Sequence, residues 1–262
     1  MKTGLIVDLG LVEYGAAWEL QRRLVAARKA GAVPDVLLLC EHPPVITLGR
    51  SGKLANLRAS DHVLRQMGVS FFETDRGGDI TYHGPGQIVG YPILSLGEIR
   101  RDVAWYVRGL EEAMMRATAE FGVASRRVPG RTGVWVDVPG GPGETAGEDK
   151  LAAIGVRLSR WVTSHGFAYN VSTDLRYFDL IVPCGIAGKR TTSLEKLLGR
   201  RTAIEEVSPR IAEHLGELFG IELREAGSDS LDVMLRDYQD GLDPASGLGF
   251  GSQPLTVNSQ LP

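Results

Sequence analysis

Strand-like and helix-like segments follow one another without regular alternation, and this order constrains the fold more than any other feature of the sequence. The clearest helical pattern covers residues 101–121, where Val103, Tyr106, Leu110 and Met114 share one apolar stripe. Runs typical of strands come in clusters on either side of it. Such an irregular order predicts an α+β fold rather than a doubly wound sheet.

The remaining elements are predicted from hydrophobic periodicity and from residues that start or stop helices. Helices are expected over residues 11–30, between Ser60 and Gly68, and near residues 203–219. Strands are expected at Val36–Cys40, Val45–Leu48, Phe71–Thr74, Ile80–Tyr82, Ile88–Leu94, Val134–Val138, Leu151–Leu158, Phe167–Val171 and near residues 221–224.

Two stretches lack the pattern of a packed element. Residues 138–149 are rich in Gly and Pro and predict a loop between two strands. Residues 226–262 are acidic and rich in Asp, Ser, Gly and Pro, with too little apolar content to pack extensively. We therefore expect one domain over residues 1–225, followed by a flexible tail over residues 226–262.

Composition argues against several classes of protein. Hydrophobic residues make up 43% of the 262 positions, enough for a sizeable core, and no apolar run is long enough to span a membrane. The stretch MKTGLIVDLG is a poor signal peptide, so a cytoplasmic location is expected. A net charge of −3 argues against general nucleic-acid binding.

The two cysteines have different surroundings and form no CxxC pair, which argues against a structural zinc site. Cys40 ends the apolar run VLLLC and is interpreted as a core residue. Cys184 lies between a proline that fixes the backbone and a glycine that permits unusual dihedral angles. Taken alone, this stretch leaves open whether Cys184 is inert or reactive. A metal site formed by Cys184, His83 and His165 has no support in their spacing.

The stretch RGGDITYHGPGQIVGYPI, residues 76–93, holds more glycine than one hairpin needs. Gly77 and Gly78 allow the backbone to lie close to a ligand, and the HGPG sequence makes a tight turn. We interpret the stretch as a ligand-binding loop, the alternative being a hairpin with a solvent-facing His83. No GxxxxGK[ST] motif is present in the chain, so this is not a phosphate loop.

A second stretch, EDKLAAIGVRLSRWVTSHGFAYNV, covers residues 148–171. Lys150 stands at the start of an expected strand, and the small side chains of Ala153 and Gly155 leave room for a substrate against the backbone. His165 begins the next strand. A lysine at a strand start and a single histidine are more often structural than catalytic, so local sequence does not decide their roles.

Together, RGGDITYHGPGQIVGYP, KLAAIGVRLSR, HGFAYNV and PCGI resemble the lipoyl(octanoyl) transferases in order and spacing, over residues 5–220 approximately. The resemblance implies a mixed sheet packed by helices, similar to the catalytic domain of biotin protein ligases and lipoate ligases. It implies Cys184 as nucleophile and Lys150 as its partner. It also implies that the substrate-binding residues are Arg76, Gly77, Gly78, Asp79, Ile80, Thr81, Tyr82, His83, Ala153, Ile154, Gly155, Gly166, Phe167 and Ala168.

The same resemblance implies an activity in lipoate biosynthesis. An octanoyl or lipoyl group would pass from acyl carrier protein to Cys184, and then to a lysine of a lipoyl domain in a 2-oxoacid dehydrogenase complex or of the glycine-cleavage carrier. No metal or other cofactor is implied, since conversion of a thioester to an amide is downhill. Lys150, partly desolvated against Ala152 and Ile154, would exchange protons with the thiol and the amine. Residues alone would instead suggest His83 or His165 as the base.

Two alternatives belong to different classes: an ATP-dependent lipoate or biotin ligase on the same fold, and a non-catalytic module that binds acyl carriers or lipoyl domains. Charge adds one hypothesis. Residues 150–201 hold nine Lys/Arg against three Asp/Glu, and acyl carrier proteins are acidic. The cations expected to steer such a carrier are Arg157, Arg160, Lys189, Arg190, Arg200 and Arg201.

Overall fold

The structure, a computed structural model, describes residues 1–139, 147–182 and 190–241. Residues 140–146 of the expected loop, most of the expected tail and Cys184 lie outside these ranges. Among the described residues, no helix has both the length and the apolar content needed to cross a membrane.

The described residues form twelve strands and six α-helices. The strands are β1 (Lys2–Leu11), β2 (Asp35–Glu41), β3 (Val45–Leu48), β4 (Ser70–Glu73), β5 (Ile80–His83), β6 (Gln87–Ile93), β7 (Arg126–Val128), β8 (Arg131–Val138), β9 (Gly147–Ser159), β10 (Val162–Asn170), β11 (Arg190–Thr191) and β12 (Ile221–Glu225). The helices are α1 (Tyr14–Lys29), α2 (Asp61–Gln66), α3 (Val103–Glu120), α4 (Leu194–Leu198), α5 (Ile204–Phe219) and α6 (Ser228–Asp240).

Nine of these strands form one mixed sheet. Eight run in the order β12-β1-β2-β6-β10-β9-β8-β7, and β11 pairs with β9. The pairs β12/β1, β1/β2 and β11/β9 are parallel, and the others are antiparallel. The predicted α+β class with a mixed sheet is therefore confirmed.

Helices cover both faces of the large sheet. On one face α3 and α5 pack through Leu110, Met114 and Ile211 against sheet residues that include Tyr169. On the other face α1 and α6 pack through apolar side chains such as Leu24. Because each helix buries one apolar stripe against the sheet, the fold has three layers with two cores.

A small sheet of order β4-β3-β5 has its own apolar core of Ile46, Ile80 and Tyr82. Strand β5 belongs to this small sheet, whereas β6, only three residues later, lies in the centre of the large sheet. The HGPG turn is therefore not the tip of a hairpin, because it carries the chain from one sheet to the other. The two sheets meet at this crossing.

Several elements differ from the sequence-based expectations, and β7, β11 and α4 had no counterpart among them. β1 was not expected, and the helix expected over residues 11–30 starts only at Tyr14 because β1 runs to Leu11. β9 begins at Gly147, so Lys150 lies within a strand and not at its start. The expectation of a loosely packed segment from Ala226 missed α6, which buries Leu231 and Leu235, one helical turn apart, in the α1 core.

Helix α6 therefore contributes to the stability of the domain. We expect Leu231→Ala and Leu235→Ala each to lower the free energy of unfolding by about 2–5 kcal/mol, because both side chains are 1% exposed. Val233→Ala is the matched control on the same helix, since Val233 is 48% exposed, and should change it by no more than about 0.5 kcal/mol. Urea unfolding measures all three, and equal effects would contradict the docking of α6.

Candidate functional site

A cavity of about 420 Å³ lies where the two sheets meet. Its walls come from β6, β9 and β10 of the large sheet, from β5 of the small sheet, and from the loop of residues 74–79 that precedes β5. We call residues 74–79 the Gly-rich loop. Such a volume is typical of a site for a small ligand. The junction of the sheets therefore provides the candidate active site.

Most of the sequence-predicted site residues meet at this cavity. Those that line it are Arg76, Gly78, Asp79, Ile80, Thr81, His83, Lys150, Ala153, Ile154, Gly155, Gly166, Phe167 and Ala168. Gly77 and Tyr82 do not line it. Gly77 bonds through its backbone to β9, and Tyr82 turns into the core of the small sheet, where its ring stacks 4.8 Å from that of Tyr177. Cys184 lies outside the described residues.

Lys150 reaches the cavity because of a β-bulge in β9. Ala152 lies opposite Val134 of β8, but Lys150 lies opposite the adjacent residue Trp135, so Leu151 is one residue in excess. A bulge of this kind reverses the alternation of side chains beyond it. Leu151 and Ala152 consequently both enter the core beneath α3 and α5, and Lys150 lines the cavity on the opposite face.

The bulge corrects the expected surroundings of Lys150. Strict alternation would place it beside Ala152 and Ile154, yet Ala152 belongs to the core under α3 and α5, and Ile154 packs against that core while also lining the cavity. Instead, the Lys150 Nζ atom lies 4.9 Å from the ring centroid of Trp135, whose π face attracts an ammonium group. On its other side the Lys150 backbone pairs with Thr191 of β11.

The guanidinium group of Arg76 attaches the Gly-rich loop to β3. Its Nε and Nη2 atoms donate to Thr47 Oγ1 at 3.1 and 2.9 Å, and Nη2 also donates to the Thr47 carbonyl at 2.7 Å. The Gly77 N–H donates to the Val156 carbonyl of β9 at 2.9 Å. Through Arg76 the loop is bonded to the small sheet, and through Gly77 it is bonded to the large sheet. The loop therefore holds the two sheets together at the cavity.

The absence of a side chain at Gly155 makes room for the Gly-rich loop, in addition to leaving space for a substrate. A Cβ atom at this position would lie 2.7 Å from the Gly77 carbonyl oxygen and 3.2 Å from the Arg76 side chain. A distance this short to a backbone oxygen requires the loop to move. The small residue in LAAIGV therefore makes room for the loop as well as for a ligand.

His83 is a buried, neutral residue of the cavity wall. Gln87 Nε2 donates to Asn170 Oδ1 at 2.8 Å, which orients the Gln87 amide so that its Oε1 accepts from His83 Nδ1, also at 2.8 Å. Burial lowers the pKa of His83 to about 3, and the neighbouring His42 and Arg76 act in the same direction. His83 is thus neither solvent-facing nor suited to carry a proton near neutral pH.

A second buried histidine lies behind this wall. His42 Nδ1 donates to the Val12 carbonyl at 2.7 Å, so its Nε2 accepts from the Tyr91 hydroxyl, also at 2.7 Å. Burial lowers the pKa of His42 to about 4. Tyr91 lines the cavity, so the part of the wall formed by Tyr91 and His83 is polar but uncharged at neutral pH.

The third histidine, His165, is held by a carboxylate. Its Nε2 donates to Asp75 Oδ1 at 2.7 Å, while its Nδ1 is buried without a hydrogen-bond partner among the described residues. Burial lowers the pKa of His165, and the bond to Asp75 opposes this shift. His165 lines the cavity and is 2% exposed, so its ring is a fixed part of the wall.

Sequence reasoning missed several cavity residues, among them Tyr14, Tyr91, Trp135, Asn170 and Thr191. Asn170 lies two positions after Ala168 on the same strand, so period-two alternation from Ala168 was a usable signal. Tyr91 lies within the stretch of residues 76–93 that the sequence indicated as a ligand-binding loop. For Tyr14, Trp135 and Thr191 the local sequence holds no signal, because pairing between distant strands or the packing of α1 brings them to the cavity.

Comparison with known proteins identifies the family. The family model described as the lipoyl protein ligase A/B catalytic domain matches residues 13–216. A protein named octanoyltransferase from Solibacter usitatus is 52% identical over 85% of this chain and 96% of its own length. Its namesake from Acidobacterium capsulatum is 51% identical over 82% and 89%, respectively. The chain belongs to the octanoyltransferase family. The family, the acyltransferase class and the octanoyl transfer predicted from the sequence are therefore confirmed.

Solved structures support the fold of this octanoyltransferase. The bi-partite lipoate protein ligase of Thermoplasma acidophilum superposes with a TM-score of 0.68 over 92% of this chain and 93% of that chain, at 17% identity. A lipoate-protein ligase A bound with ATP gives a TM-score of 0.67 over 91% and 94%, also at 17% identity. At this level of identity the likeness concerns the fold alone.

The close contact at Gly155 predicts a specific loss. Gly155→Ala should reduce the rate of octanoyl transfer at least about tenfold and lower the free energy of unfolding by about 1–3 kcal/mol, because the new methyl group overlaps the Gly77 carbonyl. Gly227→Ala is the control, since its φ of −76° suits alanine and a Cβ there meets no atom within 4 Å. Activity and urea unfolding of both variants test this; equal behaviour would contradict it.

The buried histidines make stability depend on pH. The unfolded chain binds protons at a pKa of about 6.5, but folded His42 and His83 bind them only near 4 and 3. The free energy of unfolding should therefore fall as pH drops below about 6.5, by up to about 1.4 kcal/mol per pH unit for each histidine.

Urea unfolding at about pH 7 and about pH 5 measures this dependence. His83→Gln should make it shallower, because one of the two buried histidines no longer titrates. His62→Gln should leave it unchanged, because His62 is exposed. An identical pH dependence in His83→Gln and in the unmodified protein would contradict the assignment.

Proposed function

We propose that this octanoyltransferase works through a thioester on Cys184, with Lys150 as the group that exchanges protons. The donor is an octanoyl-acyl carrier protein. The acceptor is a lysine on a lipoyl domain of a 2-oxoacid dehydrogenase complex or on the glycine-cleavage carrier protein. The observation that carries the proposal is the position of Lys150, which lines the cavity and pairs with Thr191, seven residues after Cys184.

The described neighbours of the Cys184 segment support its place in the site. Val182 donates its N–H to the Asn56 carbonyl at 2.7 Å, and the Asn56 side chain donates to Asp79 of the cavity wall at 2.8 Å. Cys184 follows Val182 by two residues, a span of at most about 7 Å. On the far side, Arg190 and Thr191 line the cavity.

In the first step the Cys184 thiolate attacks the thioester carbonyl of the donor. A nearby ammonium group such as that of Lys150 favours the thiolate over the thiol. The tetrahedral intermediate then expels the carrier's sulfur as a thiolate, which takes a proton from Lys150 and departs as the thiol. The octanoyl group remains on Cys184 as a new thioester.

In the second step the ε-amine of the acceptor lysine attacks this thioester. Lys150, now neutral, accepts the proton that the amine loses, and the Cys184 thiolate leaves as the amide forms. The charges of the Cys184–Lys150 pair are then those of the starting state. No step requires ATP, because a thioester is converted into an amide.

The cavity is suited to the octanoyl chain. Its wall includes the apolar groups of Ile80, Val89 and Phe167 together with the small residues of β9 and β10. Burying a methylene group contributes about 0.8 kcal/mol, so a chain of this length gains several kcal/mol of binding free energy. The part of the wall formed by His83 and Tyr91 is uncharged, so these two side chains do not add the desolvation cost of an ionised group.

A covalent intermediate distinguishes the proposal from its two alternatives. Mixed with octanoyl-acyl carrier protein alone, the unmodified enzyme should gain the mass of one octanoyl group, and Cys184→Ala should gain none. Intact-protein mass spectrometry measures this. An ATP-dependent ligase would instead transfer its acyl group without Cys184 and require ATP, and a binding module would give no adduct. Either result would overturn the mechanism.

Variants at Lys150 separate its charge from its proton transfer. Lys150→Arg keeps a cation beside Trp135 but cannot release a proton near neutrality, so the transfer rate should fall about 100-fold or more. Lys150→Ala removes the positive charge as well, so its transfer rate should fall further. Both can be followed as rates of acyl-enzyme formation. Full activity in Lys150→Arg would remove Lys150 from the proton-transfer role.

A further inference from the structure

A surface segment next to the cavity carries unneutralised positive charge. Residues 49–60, GRSGKLANLRAS, contain no acidic residue. Arg50, Lys53 and Arg58 are exposed, and within the part of the chain that the structure describes none of them forms an ion pair. Leu54, in the same segment, is 59% exposed. We call residues 50–58 the basic segment.

The basic segment is bonded at one end to the Gly-rich loop of the cavity wall and at the other end to the stretch that precedes Cys184. The Arg50 and Ser51 N–H groups donate to carbonyls of the Gly-rich loop at 3.0 and 3.1 Å, and Ser51 lines the cavity. At the other end, Arg58 N–H donates to the Leu180 carbonyl at 2.9 Å, and Leu57 forms a β-bridge with Ile181. The surface therefore borders both the cavity wall and the stretch that leads to Cys184.

Several of the cations proposed from the sequence to steer the donor are already paired with carboxylates of this chain. Arg157 pairs with Asp75, Arg190 with Asp149 at 3.2 Å, and Arg200 with Glu206 at 3.5 Å. A neighbouring carboxylate cancels much of the field that a cation presents to an approaching protein. No carboxylate within the described ranges pairs with a cation of the basic segment, and its exposed Leu54 adds an apolar contact that a charged patch alone lacks.

We propose that the basic segment is the docking surface for the acidic carrier protein that delivers the octanoyl group. Arg50, Lys53 and Arg58 provide the complementary charge, and Leu54 provides the apolar contact. This inference rests on the proposed function, since it assumes a donor that carries its acyl group as a thioester.

The position of the segment favours the donor over the acceptor. A carrier protein holds its thioester on a long flexible arm, so its folded body docks at a distance from the reacting atoms. An acceptor lysine has only its own side chain to reach the thioester, so its domain must contact the cavity mouth directly. Arg50, Lys53, Leu54 and Arg58 border the cavity without lining it, as expected of a surface that binds the body of the donor.

A pair of charge reversals tests the proposal. Lys53→Glu/Arg58→Glu should reduce kcat/KM for acyl-enzyme formation from octanoyl-acyl carrier protein about tenfold at low salt, with a smaller effect at high salt. With a small octanoyl-pantetheine thioester, which has no protein body, the rate should be unchanged. Arg108→Glu/Lys196→Glu is the charge-matched control, because both side chains are exposed on helices, unpaired within the described residues, and absent from the cavity lining.

Leu54→Ser supplies a second variant with no change of charge. It should slow the reaction with the carrier protein by a factor that does not depend on salt, and leave the small thioester unaffected. Equal losses in the control pair, or unchanged rates with the carrier protein, would overturn the proposal. So would normal acyl-enzyme formation followed by slower transfer to the lipoyl domain, which would assign the segment to the acceptor.

Failure of the proposed function would look different from failure of the docking proposal. In that case the unmodified enzyme would form no acyl-enzyme even with the small thioester. If the adduct forms normally and only the charge reversals have no effect, the mechanism stands and the docking surface is rejected.

Discussion

The contact of Arg76 with Thr47 is the interaction on which the site depends. The Gly-rich loop has few side chains to bury, so it cannot hold a fixed position through an apolar core of its own. A buried guanidinium group that donates to β3, together with the bond from Gly77 to β9, fixes the loop between the sheets.

The fold was predictable where the signal lies in local pattern. Residues 101–121 and 203–219 show helical stripes, and both form helices that pack on the large sheet. β1 was not predicted because its period-two pattern is weak, and it is stabilised by parallel pairing with β2 and β12. α6 was not predicted because the helix is mostly polar and packs through two buried leucines that lie one turn apart.

The site was predictable as a set of segments but not as a geometry. The long motifs around Arg76, Lys150 and Gly166 identified the strands that meet at the cavity. They did not reveal Trp135 beside Lys150, since only pairing between β8 and β9 brings these residues together. The expectation of a histidine base came from ordinary pKa values, and burial removes that basis for His83. A base that functions near neutrality needs exposure or a charged partner.

The bulge in β9 decides which face of the sheet Lys150 occupies. Side chains alternate between the two faces of a strand, so one extra residue moves every side chain beyond it to the opposite face. The extra residue at Leu151 sets two opposite frames within one strand, one that places Ala153 and Gly155 on the cavity face and one that brings Lys150 to the same face. If β8 and β9 paired without the bulge, Lys150 would turn into the apolar core and Leu151 would take its place on the cavity face, with no change in the sequence. The pairing of β8 with β9 is therefore as much a part of the candidate site as the residues themselves.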